Sequence, residues 1–117
     1  MTDGEKLARA CAAAAADKKA EDITVLDMQG ISTFTDYFVI CSGSSEPQLK
    51  AIASSIREQC REKLDRKPAS EDGFPISQWI VLDYGDVIVH LFHNDKREFY
   101  GLENLWSDAK RLEVEGI

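Results

Sequence analysis

Two apolar runs, Trp79–Leu82 and Val87–Phe92, flank the short segment Asp83-Tyr84-Gly85-Asp86. Gly85 supplies the positive φ that a tight turn needs, so the pattern predicts a β-hairpin. With Leu82 opposite Val87, Val81 opposite Ile88, Ile80 opposite Val89 and Trp79 opposite His90, side chains alternate between two faces. One face carries Ile80, Leu82, Val87, Val89 and Leu91; the other carries Trp79, Val81, Ile88, His90 and Phe92. Both are too apolar for a hairpin with one wet side. Either a helix covers each face, or one face is reserved for something else.

The remaining elements supply candidates for the cover. Thr2 or Asp3 can cap a first helix that runs to Ala16 on an alanine-rich stripe of Leu7, Ala10, Cys11 and Ala14. So thin a helix must pack closely against a neighbour or against its own copy. Ile23–Met28 reads as a strand, Gln29–Thr35 as a loop, and Tyr37–Cys41 as a strand covered on both faces. Ser45 and Gln48 form a capping box with Pro47 in the first turn. Leu49, Ile52, Ala53, Ile56, Cys60 and Leu64 follow at spacings of 3, 4, 3, 4 and 4, predicting an amphipathic helix that ends near Pro68. A loop surrounds Glu71-Asp72-Gly73, and Phe99–Leu112 reads as an irregular helical segment before a charged tail. The fold class expected is α/β, a mixed β-sheet flanked by helices. With 117 residues one domain is expected: an N-terminal helix over 1–20, a core over 21–110 and a tail over 111–117.

A net charge of −7 disfavours phosphate backbones as partners, because nucleic-acid affinity comes largely from Lys and Arg displacing counterions. A basic protein surface is the better electrostatic match. The cysteines Cys11, Cys41 and Cys60 are 30 and 19 residues apart, form no C-x-x-C pair, and sit in apolar patterns. They predict a reducing compartment. No apolar run approaches the ~18 residues of a membrane span. A cytoplasmic location is expected.

A search for catalysis returns little. The junction Cys41–Gln48 is a strand–Gly–Ser–helix turn of the kind that nucleotidyltransferases place beneath a triphosphate. Those enzymes also need two carboxylates converging on magnesium. Here the candidates are Asp83 and Asp86, set across a reverse turn, with no Lys or Arg in the junction to hold phosphates. Nothing in the spacing pairs Cys41 with His90 or His93, and two histidines three apart make no metal site without further ligands. No cofactor, metal or catalytic residue is expected. Aromatic content says more: six of the ten aromatics fall from Trp79 onward, in a chain with no catalytic set. Trp and Tyr dominate interface hot spots, which favours a docking protein.

Several strings resemble the ribosomal silencing factor (RsfS/Iojap) family. They are Val25-Leu26-Asp27, the run from Thr35 to Ser45, Gln48 with Ala51-Ile52-Ala53, the run from Trp79 to His90, and Tyr100, Leu102-Glu103 and Leu105–Ala109. The most specific piece is W-x-x-x-D-x-G-D-x-x-x-H followed by L-E-x-L-W. The resemblance implies a nucleotidyltransferase-like α/β fold lacking the catalytic set. It implies binding, without cofactor, to protein fourteen of the large ribosomal subunit at the intersubunit face. Small-subunit joining would be blocked and translation repressed, and the free protein would form a homodimer. It carries partner contact to Trp79, Asp83, Asp86, His90, Tyr100, Leu102, Glu103, Leu105 and Trp106. The chain departs from many relatives at Phe99-Tyr100-Gly101, where Gly101 loosens the segment. Rival readings are a homodimeric assembly factor for the large subunit, and a nucleotide-handling enzyme using Gly43, Ser44 and Asp83.

Overall fold

A computed structural model describes residues 2–73, 78–101, 104 and 106–114, with 98–100 described by backbone alone. Helix α1 spans Asp3–Asp17, strand β1 Glu21–Asp27, strand β2 Tyr37–Gly43 and helix α2 Glu46–Leu64. Strands β3 (Ser70–Asp72), β4 (Trp79–Asp83) and β5 (Val87–His93) follow, then helix α3 (Asn94–Tyr100) and strand β6 (Lys110–Leu112). The strands form one sheet in the order β3-β4-β5-β2-β1-β6. Neighbours are antiparallel except β2 and β5, whose parallel pairing needs the crossover that α2 begins. The expected mixed α/β sheet is thereby present.

Local chemistry sets the helix ends. The Thr2 hydroxyl accepts from the Glu5 amide at 3.1 Å and starts α1. Ser45 caps α2 by accepting from the Gln48 amide at 3.2 Å. The reciprocal half of the expected capping box differs: Gln48 Oε1 accepts from the Ser44 amide at 2.7 Å and from its hydroxyl at 3.0 Å. Gln48 Nε2 meanwhile donates to the carbonyls of Lys18 and Lys19 at 3.2 and 3.0 Å. One amide thus ties the end of α1 to the β2–α2 turn. Gln48→Ala should lower Tm by about 4 °C, some 1 kcal/mol. Gln48→Glu, which keeps the acceptor and loses the donors, should fall between; equal melting of all three proteins would show that the tie carries no weight.

Both long helices lie on the same side of the sheet. There Leu7, Ala8, Cys11, Ala12, Ala15, Leu49, Ile52, Ala53, Ile56 and Cys60 pack on Val25, Tyr37, Val39, Cys41, Ile80, Leu82, Val87, Val89 and Leu91. The alanines let α1 approach its neighbours closely, close enough for Ser55 Oγ to donate to the Ala14 carbonyl at 2.9 Å. The opposite side holds a smaller cluster of Leu26, Met28, Phe38, Ile40, Phe92 and Ala109, with Trp79, Ile88 and Trp106 packed against it. So α1 and α2 cover one face only.

Three expectations need correcting. The β4–β5 register runs Trp79↔Phe92, Ile80↔Leu91, Val81↔His90, Leu82↔Val89 and Asp83↔Ile88, two residues away from the one expected. The turn tightens to Gly85-Asp86, because Tyr84 N donates to the Val87 carbonyl at 2.8 Å and Asp83 Oδ1 accepts from Gly85 N at 2.7 Å. A two-residue slide preserves the alternation, so every side chain keeps its expected face. Ser70–Asp72, expected as loop, is an edge strand on β4. Lys110–Leu112, expected as helix end and tail, pairs antiparallel with β1, while helix α3 starts at Asn94, ahead of the expected Phe99, and Asn104 is again helical.

Candidate functional site: the sheet face opposite the long helices

On a strand, every second side chain shares a face, so Trp79, Val81 and Asp83 of β4 lie alongside Ile88, His90 and Phe92 of β5 and Phe38 and Ile40 of β2. Rings connect across these strands. Trp79 and Phe92 have centroids 5.0 Å apart, Trp79 and His90 5.8 Å, and Phe38 and His90 4.7 Å edge-on. Phe38 meets Trp106 at 6.2 Å, and Phe34 meets Phe38 at 6.1 Å and Trp106 at 6.5 Å. These spacings suit edge-to-face and tilted contacts. The ladder ends in solvent: Phe34 is 57% exposed and its loop neighbour Ile31 38%, the large apolar side chains left most open among the described residues. Trp79, Val81, Ile88 and Trp106 are half-buried.

His90 sits under this patch. Trp79 Nε1 donates to its Nδ1 at 3.1 Å, which puts the ring proton of a neutral imidazole on Nε2, itself buried and without a partner. Burial pulls the pKa from 6.5 to about 4, with Asp83 opposing. The folded value lies below the unfolded one, so in between the unfolded chain holds a proton that the native protein refuses. Stability from the neutral ring is complete above about pH 6.5 and drains as pH falls toward 4. At pH 5 the loss is about 2 kcal/mol, or about 8 °C in Tm. Thermal melts at pH 7 and pH 5 should show this drop, and His90→Phe should remove it. A slope that survives His90→Phe would assign it to other groups.

Of the expected site residues, Trp79, Asp83, His90 and Trp106 share this face, Asp83 at its end beside the turn. Asp86 does not. Its Oδ1 accepts from Arg66 Nη2 at 2.7 Å, and its carboxylate lies near Gly4 of α1, on the helix side. Asp86 thus stands apart from the aromatic face, half-buried and held by an internal arginine. Leu102, Glu103 and Leu105, and the side chain of Tyr100, lie outside the described residues. Sequence reasoning missed Phe34 and Ile31. The available signal was two bulky apolar residues inside an otherwise small, polar loop.

The rival catalytic arrangements fare differently. Gly43 is fully buried, and a Cβ there would meet Gln48 Oε1 at 3.1 Å. The Ser44 amide and hydroxyl are both directed at Gln48 Oε1, so the turn's donors are satisfied from within. Asp83 and Asp86 point to opposite sides of the hairpin end. Cys41 faces the helices while His90, opposite its chain neighbour Ile40, faces away, so the sheet itself separates thiol and imidazole. Burial pushes the Cys41 thiol up to about 12. His93 caps α3, its Nδ1 accepting from Asp95 N at 3.3 Å. Among the described residues no three His, Cys, Asp or Glu side chains gather as a metal site, and no helix is long and apolar enough to cross a membrane.

Known proteins share this arrangement. Residues 2–117 match the family described as "Ribosomal silencing factor during starvation". Ribosomal silencing factor RsfS of Bacillus subtilis (strain 168) is 45% identical over 111 residues, covering 95% of this chain and 93% of that protein. The chloroplastic protein Iojap of Arabidopsis thaliana is 40% identical over 114 residues, 96% of this chain and 47% of the longer plant protein. A crystal structure from Bacillus halodurans superposes with a TM-score of 0.81 at 38% identity, over 94% of this chain and 99% of that one. One from Chromobacterium violaceum, at 24% identity, shares the fold with a TM-score of 0.85 over 97% and 93% of the two chains. By its sequence along nearly its whole length, and by the fold built from it, the chain belongs to the ribosomal silencing factor family.

Proposed function

We propose that this protein represses translation by docking the sheet face opposite α1 and α2 on the large ribosomal subunit, through protein fourteen, so that the small subunit cannot join. The observation that carries the reading is the aromatic ladder on the face opposite α1 and α2, whose inner rings Phe92, His90 and Phe38 are buried, whose Trp79 and Trp106 are half-buried and whose end, Phe34, is exposed. Such a patch supplies the desolvated centre of an interface, with Trp79, Phe34 and Trp106 as anchors and Asp83 on the rim. A standard interface takes about 800 Å² from each partner, roughly one eighth of this chain's 6450 Å². Family membership supports the ribosomal target, and the net charge of −7 favours a basic protein over bare RNA. The self-satisfied Gly43-Ser44 turn favours a nucleotidyltransferase-like scaffold used without catalysis or cofactor. The site of action is the cytoplasm, and one domain does the work, pairing as a homodimer when free.

Gradient sedimentation with purified subunits tests the whole reading. The protein should travel with the large subunit and keep added small subunits apart; co-sedimentation with neither, or full subunit joining in its presence, would refute it. Raised salt should slow association more than dissociation, because the acidic rim acts mainly on encounter. An association rate indifferent to salt would remove charge steering from the mechanism.

A further inference from the structure

On the helix side, Cys11 of α1 and Cys60 of α2 approach to 3.6 Å between sulfurs, both wholly buried. They are free thiols, and neither belongs to the docking face. Buried cysteines usually serve as small hydrophobes, and Cys41 does so, alone under the helices with its thiol pushed up by burial. The other two are differently placed. They face each other across the α1–α2 seam, to which α1 also brings the small side chains of Ala8, Ala12 and Ala15.

We propose that Cys11 and Cys60 form an oxidant-sensitive dithiol that hydrogen peroxide converts to a disulfide bridging α1 and α2. Contact distance between sulfurs has to shrink to about 2.05 Å, a shift divisible between two side-chain rotations and a small slide of a thin helix. The roles of the two sulfurs differ. Cys60 has its thiol pKa lowered, chiefly by the hydrogen bond from Cys11, and further by the Tyr84 hydroxyl and the charge of Arg66 and Lys63, against the opposing pull of burial. Cys11 is raised, chiefly by that same hydrogen bond and by burial. Cys60 is therefore the attacking thiolate and Cys11 the resolving thiol.

The chemistry balances. The Cys60 thiolate attacks one peroxide oxygen, the O–O bond breaks, and hydroxide leaves to take up the proton Cys60 released, giving a sulfenic acid and one water. Cys11 sulfur then attacks Cys60 sulfur, the S–O bond breaks, and the departing hydroxide takes the Cys11 proton as a second water. Two thiols lose two electrons and peroxide gains them. Because both sulfurs have zero exposure, the reaction proceeds through opening of the seam and is slow compared with an exposed thiol.

The test treats the native full-length protein with hydrogen peroxide well below its Tm, then counts thiols after denaturation and maps disulfides by peptide mass. Thiols should fall from three to one, with Cys11 linked to Cys60 and Cys41 reduced. Tm should rise by about 10 °C, since the bridge constrains a 49-residue separation in the unfolded chain. Three thiols remaining, or bridges that include Cys41, would overturn the proposal, the latter because they arise from unfolded chains. In Cys11→Ala, the same treatment should form no disulfide within the chain and leave Tm unchanged; a rise in Tm like the parent's would equally overturn the proposal.

Discussion

Phe34→Ala should bind large ribosomal subunits about 30-fold more weakly than the parent, a loss of about 2 kcal/mol, while its Tm moves by no more than about 3 °C. Phe34 is 57% exposed and meets the rings of Phe38 and Trp106 at centroid distances of 6.1 and 6.5 Å, so little packing disappears with it. A hot-spot ring costs much on truncation because the partner's pocket is left empty and wet. Trp106→Ala should weaken binding by a similar or larger factor and also melt several degrees earlier, since its half-buried ring meets Phe38 edge-on at 6.2 Å. Binding assays on the two variants together separate contact from folding. Should both bind as the parent does, the aromatic face is packing and the docking surface lies elsewhere.

Leu82→Ala should destabilise the protein by about 3 kcal/mol, lowering Tm by roughly 12 °C. Leu82 is fully buried in the centre of β4, under the helices, and removing three carbons there leaves a cavity that strands and helix cannot easily close. Its neighbour Val81 faces the other way and is half-buried, so Val81→Ala should cost about 1 kcal/mol. Denaturant titration of both variants checks which face is sealed. Equal costs, or the reverse order, would mean that β4 presents its side chains the other way round.

The hairpin could be read because its signal is local: alternating apolar residues around a glycine assign faces before any pairing is known. Its exact register could not, since sliding by two residues keeps Leu82 and Val81 on their own sides. The capped helices α1 and α2 were equally readable from Thr2, Ser45 and the apolar spacing. Strands β3 and β6 were not, because Ser70-Glu71-Asp72 and Lys110-Arg111-Leu112 have the polar composition of loops. Pairing with a longer neighbour, not propensity, makes them strands. At the site, Trp79, His90 and Trp106 were named from sequence and do gather. The Arg66 that pairs with Asp86 is 20 residues upstream, a distance that no spacing rule reads. Phe34 was overlooked because a loop residue acquires its place only when the strand beside it has folded.

The margins of the sheet have a consequence for crowding. Glu71 and Asp72 line one border and Lys110 and Arg111 the other, so neighbouring molecules could attract each other side by side. Each border nevertheless offers only three residues of ladder, too short a template for endless lateral growth. Concentrated solutions should therefore remain free of fibres, even though opposite signs sit on opposite flanks.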